Sequence, residues 1–286
     1  MKKIALIGFG ASAIGFLKGF EEFGLNKIYS VDVYEKGEDI GRTGFGGLKY
    51  DGKLFISKGM GGDLEIPLSV QRRVVEFYLL KSGLAKTDNK GIVVFSENLE
   101  RGASFDNEEL YKKFYHAGFE PIRSHFYHLG TDLLTETVQK IYEDYITIDN
   151  VNFHFGEEVI QIIPQESKVV VVTKNGEGVY DKVIVAVGRR GHKLVNDMVK
   201  NHPELILSND KVDLGIRFEL PDHVVAELNK EMYEFKIRLR SKTGYIVRTF
   251  CNNPSGKVTI EKYDDFVTVN GHANSNQKTS NTNFAI

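Results

Sequence analysis

One cysteine in 286 residues, Cys251, excludes an internal disulfide and any metal site built from several thiolates. The eight histidines offer no substitute, because none falls into HxxxH or HExxH spacing, and no metal centre is expected. Blocks of lysine or arginine are also missing, and the formal net charge is −2. Nucleic acid or an anionic membrane would require a basic face, so neither is expected as a partner. No apolar run approaches the ~20 residues that span a bilayer. The N-terminus imitates a secretory signal, with Lys2 and Lys3, an apolar stretch and then Ala11-Ser12-Ala13. The apolar stretch is short and broken by Gly8, which argues against that reading and leaves a cytoplasmic location as the default expectation. No segment repeats.

What remains is an ordinary globular composition, 41% apolar and 27% charged, long enough for one large or two medium domains. Residues 4–7 form a short apolar run that reads as a buried strand. A glycine turn follows, then Ile14, Leu17 and Phe20 at helical spacing, then a β-branched and aromatic run over 28–34. Strand, turn, helix, strand is one βαβ unit. From 37 to 125 the pattern is irregular and glycine-rich, with helices expected over 69–82 and 107–116. Such a long excursion inside an α/β fold suggests an insertion with a function. Leu133, Leu134, Val138 and Ile141 mark another helix. Four strand-like runs follow between 151 and 187, two of them joined by an Asn175-Gly176 turn. Strands are also expected over 212–219, 245–250 and 257–261, and from Asn270 the chain reads as a polar loop.

Gly8-Phe9-Gly10-Ala11-Ser12-Ala13 is a G-x-G-x-x-A sequence between the first strand and the first helix. The first glycine permits a tight turn. The second, without a Cβ, lets backbone approach a pyrophosphate, and the small third residue lets helix and strand pack closely. The helix N-terminus offers unpaired N–H groups and a positive dipole end to phosphate. Glu35 ends the second strand where an acid accepts both hydroxyls of an adenosine ribose and repels a 2′-phosphate. Asp32 competes for that role, but alternation along the strand turns it to the other face. The run 183–188, apolar and ending in Gly188, allows the chain to pass close beneath a dinucleotide.

The order of these elements resembles the two-dinucleotide-binding-domain flavoproteins. The segments Gly41-Arg42-Thr43-Gly44-Phe45-Gly46-Gly47, Tyr50-Asp51-Gly52-Lys53-Leu54, Gly61-Gly62-Asp63-Leu64, His128-Leu129-Gly130-Thr131-Asp132, Val212-Asp213-Leu214-Gly215-Ile216-Arg217-Phe218-Glu219 and Arg248-Thr249-Phe250-Cys251, with Asn270-Gly271-His272, are similar to a family of uncharacterised FAD-dependent dehydrogenases. The resemblance runs along nearly the whole chain. It implies a Rossmann-type FAD-binding domain with a β-meander over residues 1–200, the excursion 37–125 included, and a β-rich substrate domain over 201–286. By the same resemblance FAD would lie on Gly8, Gly10, Ala11, Ser12, Ala13, Glu35 and Lys36. Val159 would hold the adenine through its backbone. Arg42, Gly44, Gly46 and Gly47 would lead along the pyrophosphate and ribityl chain, and Gly188 would pass beneath. Family members are expected to continue past residue 286, so the chain is expected to be truncated at its C-terminus.

The activity so implied is hydride or electron transfer between a small-molecule substrate and FAD, the cofactor carrying the chemistry. NADH or NADPH enters the reading only as a reductant, since there is no second GxGxxG. The alternatives are a non-catalytic FAD- or NAD-binding module and an NAD-dependent dehydrogenase. Cys251 is a candidate thiol near the flavin or a small buried hydrophobe. His272, expected in a loop, is a candidate proton donor or acceptor or a structural histidine. Arg217 and Arg248 are suited to a carboxylate, with an ion pair to Asp213 or Glu219 favoured for Arg217. Lys53 reads either as a flavin or phosphate contact or as a surface lysine, and Arg189-Arg190 with His192 as phosphate contacts or a solvated face.

Overall fold

The computed structural model describes residues 1–39, 52–60, 64–205, 214–262, 266–273 and 278–286. The chain divides into two compact units, Met1–Tyr50 with Leu134–Val212, and Asp51–Leu133 with Asp213–Ile286.

The first unit begins with β1 (Lys2–Ile7), α1 (Ala11–Glu22) and β2 (Tyr29–Glu35). The chain returns to it along α2 (Thr131–Tyr145) and continues into β3 (Val151–Phe155). An antiparallel meander follows, β4 (Val159–Pro164), β5 (Val169–Thr173) and β6 (Glu177–Tyr180), and then β7 (Lys182–Val185) and α3 (His192–Asn201). The central sheet runs β7-β1-β2-β3 with every pair parallel. Parallel sheets are stable when both faces are covered, which is why Ile4, Ala5, Leu6 and Ile7 are all buried in sequence. Ala5 and Ile7 pack against Val159, Ile162, Val171 and Tyr180 of the meander. Alternation turns Val31 and Val33 to the other face. Ala13, Ile14, Leu17 and Phe20 are the buried stripe of α1, and Leu134, Val138, Ile141 and Tyr145 that of α2, each at three- and four-residue spacing. The expected α/β architecture with its meander is thus present.

The second unit is built from short antiparallel pieces. Lys53–Ile56, Ser124–His128 and Glu100–Ser104 form one sheet with Ser124–His128 in the middle. In another, Ile237–Arg240 lies between Ile246–Arg248 and Glu120–Pro121. In a third, Asn281–Ala285 lies between Arg217–Pro221 and Phe250–Asn253. Lys257–Lys262 pairs with Val267–His272, and Ala85–Thr87 with Val93–Phe95. Helices Leu68–Ser82, Glu108–His116 and Ala226–Glu231 complete it. Asn107 caps the second of these, its side-chain oxygen accepting from the N–H groups of Glu109 and Leu110. Phe105, Met232 and Phe235 form a core with Phe284 against it.

Two expectations change. Most of the excursion 37–125, expected within the nucleotide domain, falls in the segment 51–133, which clusters with 213–286 instead of with 1–50. The reason is pairing: Glu120–Pro121 finds its strand partner more than a hundred residues later, in Ile237–Arg240. The polar stretch after Asn270 is also not a loop throughout, because His272 closes the strand Val267–His272 and Asn281–Ala285 is a central strand.

Candidate functional site

The turn between β1 and α1 sits at the C-terminal edge of the parallel sheet, where open α/β sheets bind ligands. Gly8 has φ +90°, a left-handed conformation that side chains rarely adopt. A Cβ there would stand 2.6 Å from the carbonyl oxygen of Ala186 and 3.0 Å from the Cα of Val187. The Gly8 N–H donates to the Tyr34 carbonyl at 2.7 Å, and the Ala186 N–H to the Ile7 carbonyl at 2.8 Å. The glycine turn and the segment after β7 are therefore pressed together, backbone on backbone, as the two sequence signatures require. Gly188 follows with φ +57° and opens a single turn of 3-10 helix, Arg189–Gly191.

Gly10 is the N-cap of α1 in extended conformation, makes no side-chain cap, and is followed by no acidic residue in the first turn. The first-turn N–H groups of Ala11, Ser12 and Ala13 therefore have no side-chain acceptor from the cap, and no acid of the helix's own first turn offsets its positive end. That is the donor set a phosphate requires.

Phe9, the unspecified residue of the motif, fixes the turn from below. It is fully buried, 5.1 Å from the ring of Phe153 in edge-on contact, with Tyr142 and Phe155 completing the cluster. The only signal for this anchor in the sequence is an aromatic residue set between two glycines.

Glu35 ties the same turn to β2. Its Oε2 accepts the Phe9 N–H at 2.8 Å and its Oε1 the Gly37 N–H at 2.9 Å. The side chain is 7% exposed. Each oxygen keeps further lone-pair capacity, so the carboxylate can serve the turn and a vicinal diol together. Glu35→Gln is expected to destabilise the protein by about 1–3 kcal/mol in thermal or urea unfolding without any ligand. One of the two backbone donors would then face an amide NH2 instead of an acceptor.

Asp32 lies on the other face, as the alternation predicts. Its Oδ2 accepts from the Tyr180 hydroxyl at 3.0 Å and its Oδ1 from the Asn152 amide at 2.9 Å, with His154 Nε2 at 3.5 Å. The Tyr34 and Tyr180 hydroxyls are 2.5 Å apart, and the Tyr34 ring stacks on His154. Burial raises the pKa of both phenols above the ordinary tyrosine value. For Tyr180 the bond to Tyr34 and the Asp32 charge push the same way. Asp32 is thus committed to holding the meander, a role that sequence alone did not supply.

Among the other nominated residues, Lys36 reaches the Arg190 carbonyl at 3.4 Å. Val159 is buried at the start of β4, pairs with Thr173 and stands at a register shift before Gln161. Arg42, Gly44, Gly46 and Gly47 lie outside the described residues. Cys251 and His272 belong to the second unit. Cys251 stands where the register shifts between Phe250 and Asn253, with φ +54°, and its Sγ is 3.5 Å from Asn253 Nδ2. His272 ends a strand, paired with Lys257, and is not in the loop expected for it.

Lys53 is not a surface lysine. Its ammonium lies 2.7 Å from Glu234 Oε2, with the two side chains 4% and 3% exposed. It also donates to the Asn252 carbonyl and lies over the Tyr233 ring.

No protein-family model and no curated protein matches the sequence. Among solved structures the chain is similar to tetracycline destructase Tet(51), with 14% identity over all of this chain and 57% of that one, TM-score 0.38. It is similar to CtdE, solved in complex with FAD, with 7% identity over all of this chain and 58% of that one, TM-score 0.39. Glycine oxidase from Geobacillus kaustophilus gives 17% identity over 77% of this chain and 61% of that one, TM-score 0.39. The chain spans little more than half the length of such structures. At these scores the likeness decides nothing, and the functional reading rests on the geometry of the turn.

Proposed function

We propose that the chain binds FAD and is an FAD-dependent oxidoreductase acting on a small molecule. The observation that carries the reading is the joint geometry of Gly8, the uncapped start of α1 and Glu35. A left-handed glycine, a cluster of first-turn N–H groups and a strand-end acid meet at one edge of a parallel sheet. The N–H groups of Ala11, Ser12 and Ala13 bind the pyrophosphate, and Gly10 keeps the approach clear. Glu35 accepts the ribose hydroxyls while holding Phe9 and Gly37. The choice of FAD over NAD rests on the meander β4–β6, after which the chain re-enters the sheet as β7 and passes Gly8 at Ala186. In the family the sequence resembles, the backbone at Val159 holds the adenine, and we carry that role over with Lys36 and Gly188 at the rim.

Once bound, FAD supplies the electron or hydride transfer, and the protein supplies position and proton handling. Cys251 and His272 are the proposed groups for proton handling in the second unit. A nicotinamide reductant is proposed only as a soluble co-substrate.

The test is the visible spectrum of the purified protein before and after adding FAD. Flavin bands that travel with the protein through gel filtration, and bleach anaerobically with NADH, NADPH or a substrate, are the expected result. Bands that no reductant bleaches would leave a binding module without turnover. No bands after added FAD, together with retention of NAD, would overturn the cofactor assignment.

A further inference from the structure

In the second unit, Arg217 enters a buried polar cluster that, among the described residues, contains no carboxylate bonded to it. Its Nη1 donates to the Cys251 carbonyl at 3.2 Å and to Asn283 Oδ1 at 2.6 Å. The same Asn283 oxygen accepts from Asn253 Nδ2 at 3.4 Å, and that amide also reaches the Cys251 carbonyl at 2.9 Å. Asn283 is fully buried and Asn253 nearly so. Two donors in this cluster are buried and find no acceptor, Arg217 Nε and Asn283 Nδ2. The nearby acids are engaged elsewhere: Asp222 accepts from the hydroxyls of Thr282 and Ser255, and Glu234 holds Lys53. Among the described residues Arg217 makes no ion pair. The pairing with Glu219 that the sequence suggested is not formed, and Asp213 lies outside the described residues.

A guanidinium surrounded by amides and carbonyls has hydrogen bonds on one side and no counter-charge, which is costly when buried. Both unmatched atoms are donors, so the missing partner is an acceptor with negative charge. We propose that Arg217 and Asn283 form a binding site for a small carboxylate, taken by the Arg217 Nε edge and the Asn283 amide. One cation and one amide match a planar monoanion in charge and shape, and the guanidinium fork bonds carboxylates with both oxygens. A phosphate dianion would need a second positive group, and the cluster has none among its hydrogen-bonded members.

Gly271 covers the cluster. A Cβ there would stand 2.2 Å from Asn253 Nδ2, 2.4 Å from Arg217 Nη1 and 2.4 Å from Asn283 Oδ1. Its strand, Val267–His272, is hydrogen-bonded as a strand only to Lys257–Lys262 among the described residues.

The site stands independently of the dinucleotide reading, and its test needs no flavin. Protein labelled with 15N-arginine is titrated with acetate, pyruvate and benzoate, and separately with phosphate and chloride, at constant ionic strength. The expected result is a saturable shift of one Nε–H resonance, absent from the Arg217→Lys spectrum, with a carboxylate and not with chloride. Asn283→Ser, which keeps the arginine and removes the amide donor, should weaken that binding about tenfold. The wild-type titration decides the matter even if a variant fails to fold. No saturable shift with any of the three carboxylates overturns the site, as does an equal shift with chloride. Binding of phosphate alone overturns the carboxylate assignment.

Discussion

Gly8→Ala is expected to lose FAD and lower the melting temperature together, whereas Gly10→Ala should lose FAD alone. At Gly8 two independent penalties coincide. The backbone sits at φ +90°, which costs a residue with a side chain about 1–3 kcal/mol. The added methyl would also stand 2.6 Å from the Ala186 carbonyl oxygen. That carbonyl cannot retreat freely, because the Ala186 N–H is bonded to Ile7 and β7 is in register with β1. The turn must therefore move, and the Phe9 and Glu35 contacts must move with it. A few kcal/mol lost from the geometry that receives the phosphates corresponds to about a hundredfold or more in affinity. Gly10 differs in one respect that makes it a control. Its φ of −120° and ψ of −162° are extended backbone that alanine adopts without strain. Its proposed role is only to leave room for the pyrophosphate, so alanine there should keep the unfolding midpoint and abolish flavin retention. Thermal melting and the flavin absorbance of each gel-filtered variant separate the two effects. A Gly8→Ala protein that retains both flavin and melting temperature would contradict the account of the turn.

The turn was legible in the sequence because everything that defines it is local. A strand, two glycines, a small residue and a helix lie within about twenty residues, and period-two alternation was enough to separate Glu35 from Asp32. The roles of both acids are richer than that separation. Glu35 holds two backbone N–H groups, and Asp32 serves Tyr180 and Asn152 of distant strands. Neither contact follows from spacing, because it depends on which strand becomes the neighbour. The second unit was less legible for the same reason. Its strands are two to six residues long, too short for a periodic signal, and their partners are remote. Asn281–Ala285 shows the difficulty most clearly. Its Asn-Thr-Asn start reads as a loop, yet Thr282 and Asn283 are fully buried in the middle of a sheet. They can be there because Asp222 and Asn229 take up the Thr282 hydroxyl and Arg217 the Asn283 side-chain oxygen. A polar sequence marks a loop only when its partners are water, and here many of them are other side chains.

Lys53 and Glu234, 181 residues apart, illustrate how much such a remote pairing can weigh. Glu234→Leu is expected to destabilise the protein by about 3–5 kcal/mol, one of the largest single losses available in it. The carboxylate accepts the Lys53 ammonium through Oε2 and the Asn252 N–H through Oε1 at 3.1 Å. Its removal takes the Glu234 carboxylate away from an ammonium whose side chain is only 4% exposed. Lys53→Met alone strands the carboxylate in the same way. The double variant, Lys53→Met with Glu234→Leu, should lose less than the sum of the two. Neither charge of the pair then remains, and the Asn252 N–H and carbonyl each lose a side-chain partner, at about 1–3 kcal/mol for such a group. A double-mutant cycle in urea measures this coupling directly. The pH dependence gives a second signature. In Glu234→Leu the buried lysine has lost the Glu234 carboxylate, which shifts its folded-state pKa downward relative to the value of about 10.4 that it keeps when unfolded. Across that interval the unfolded chain binds the extra proton, and the variant must gain stability as pH rises. The wild-type protein, with its lysine paired, should show no such gain. Single variants whose losses simply add, with no rise in stability toward alkaline pH, would show that the pair is not the buried ionic contact that joins Lys53 to the strand region around Asn252.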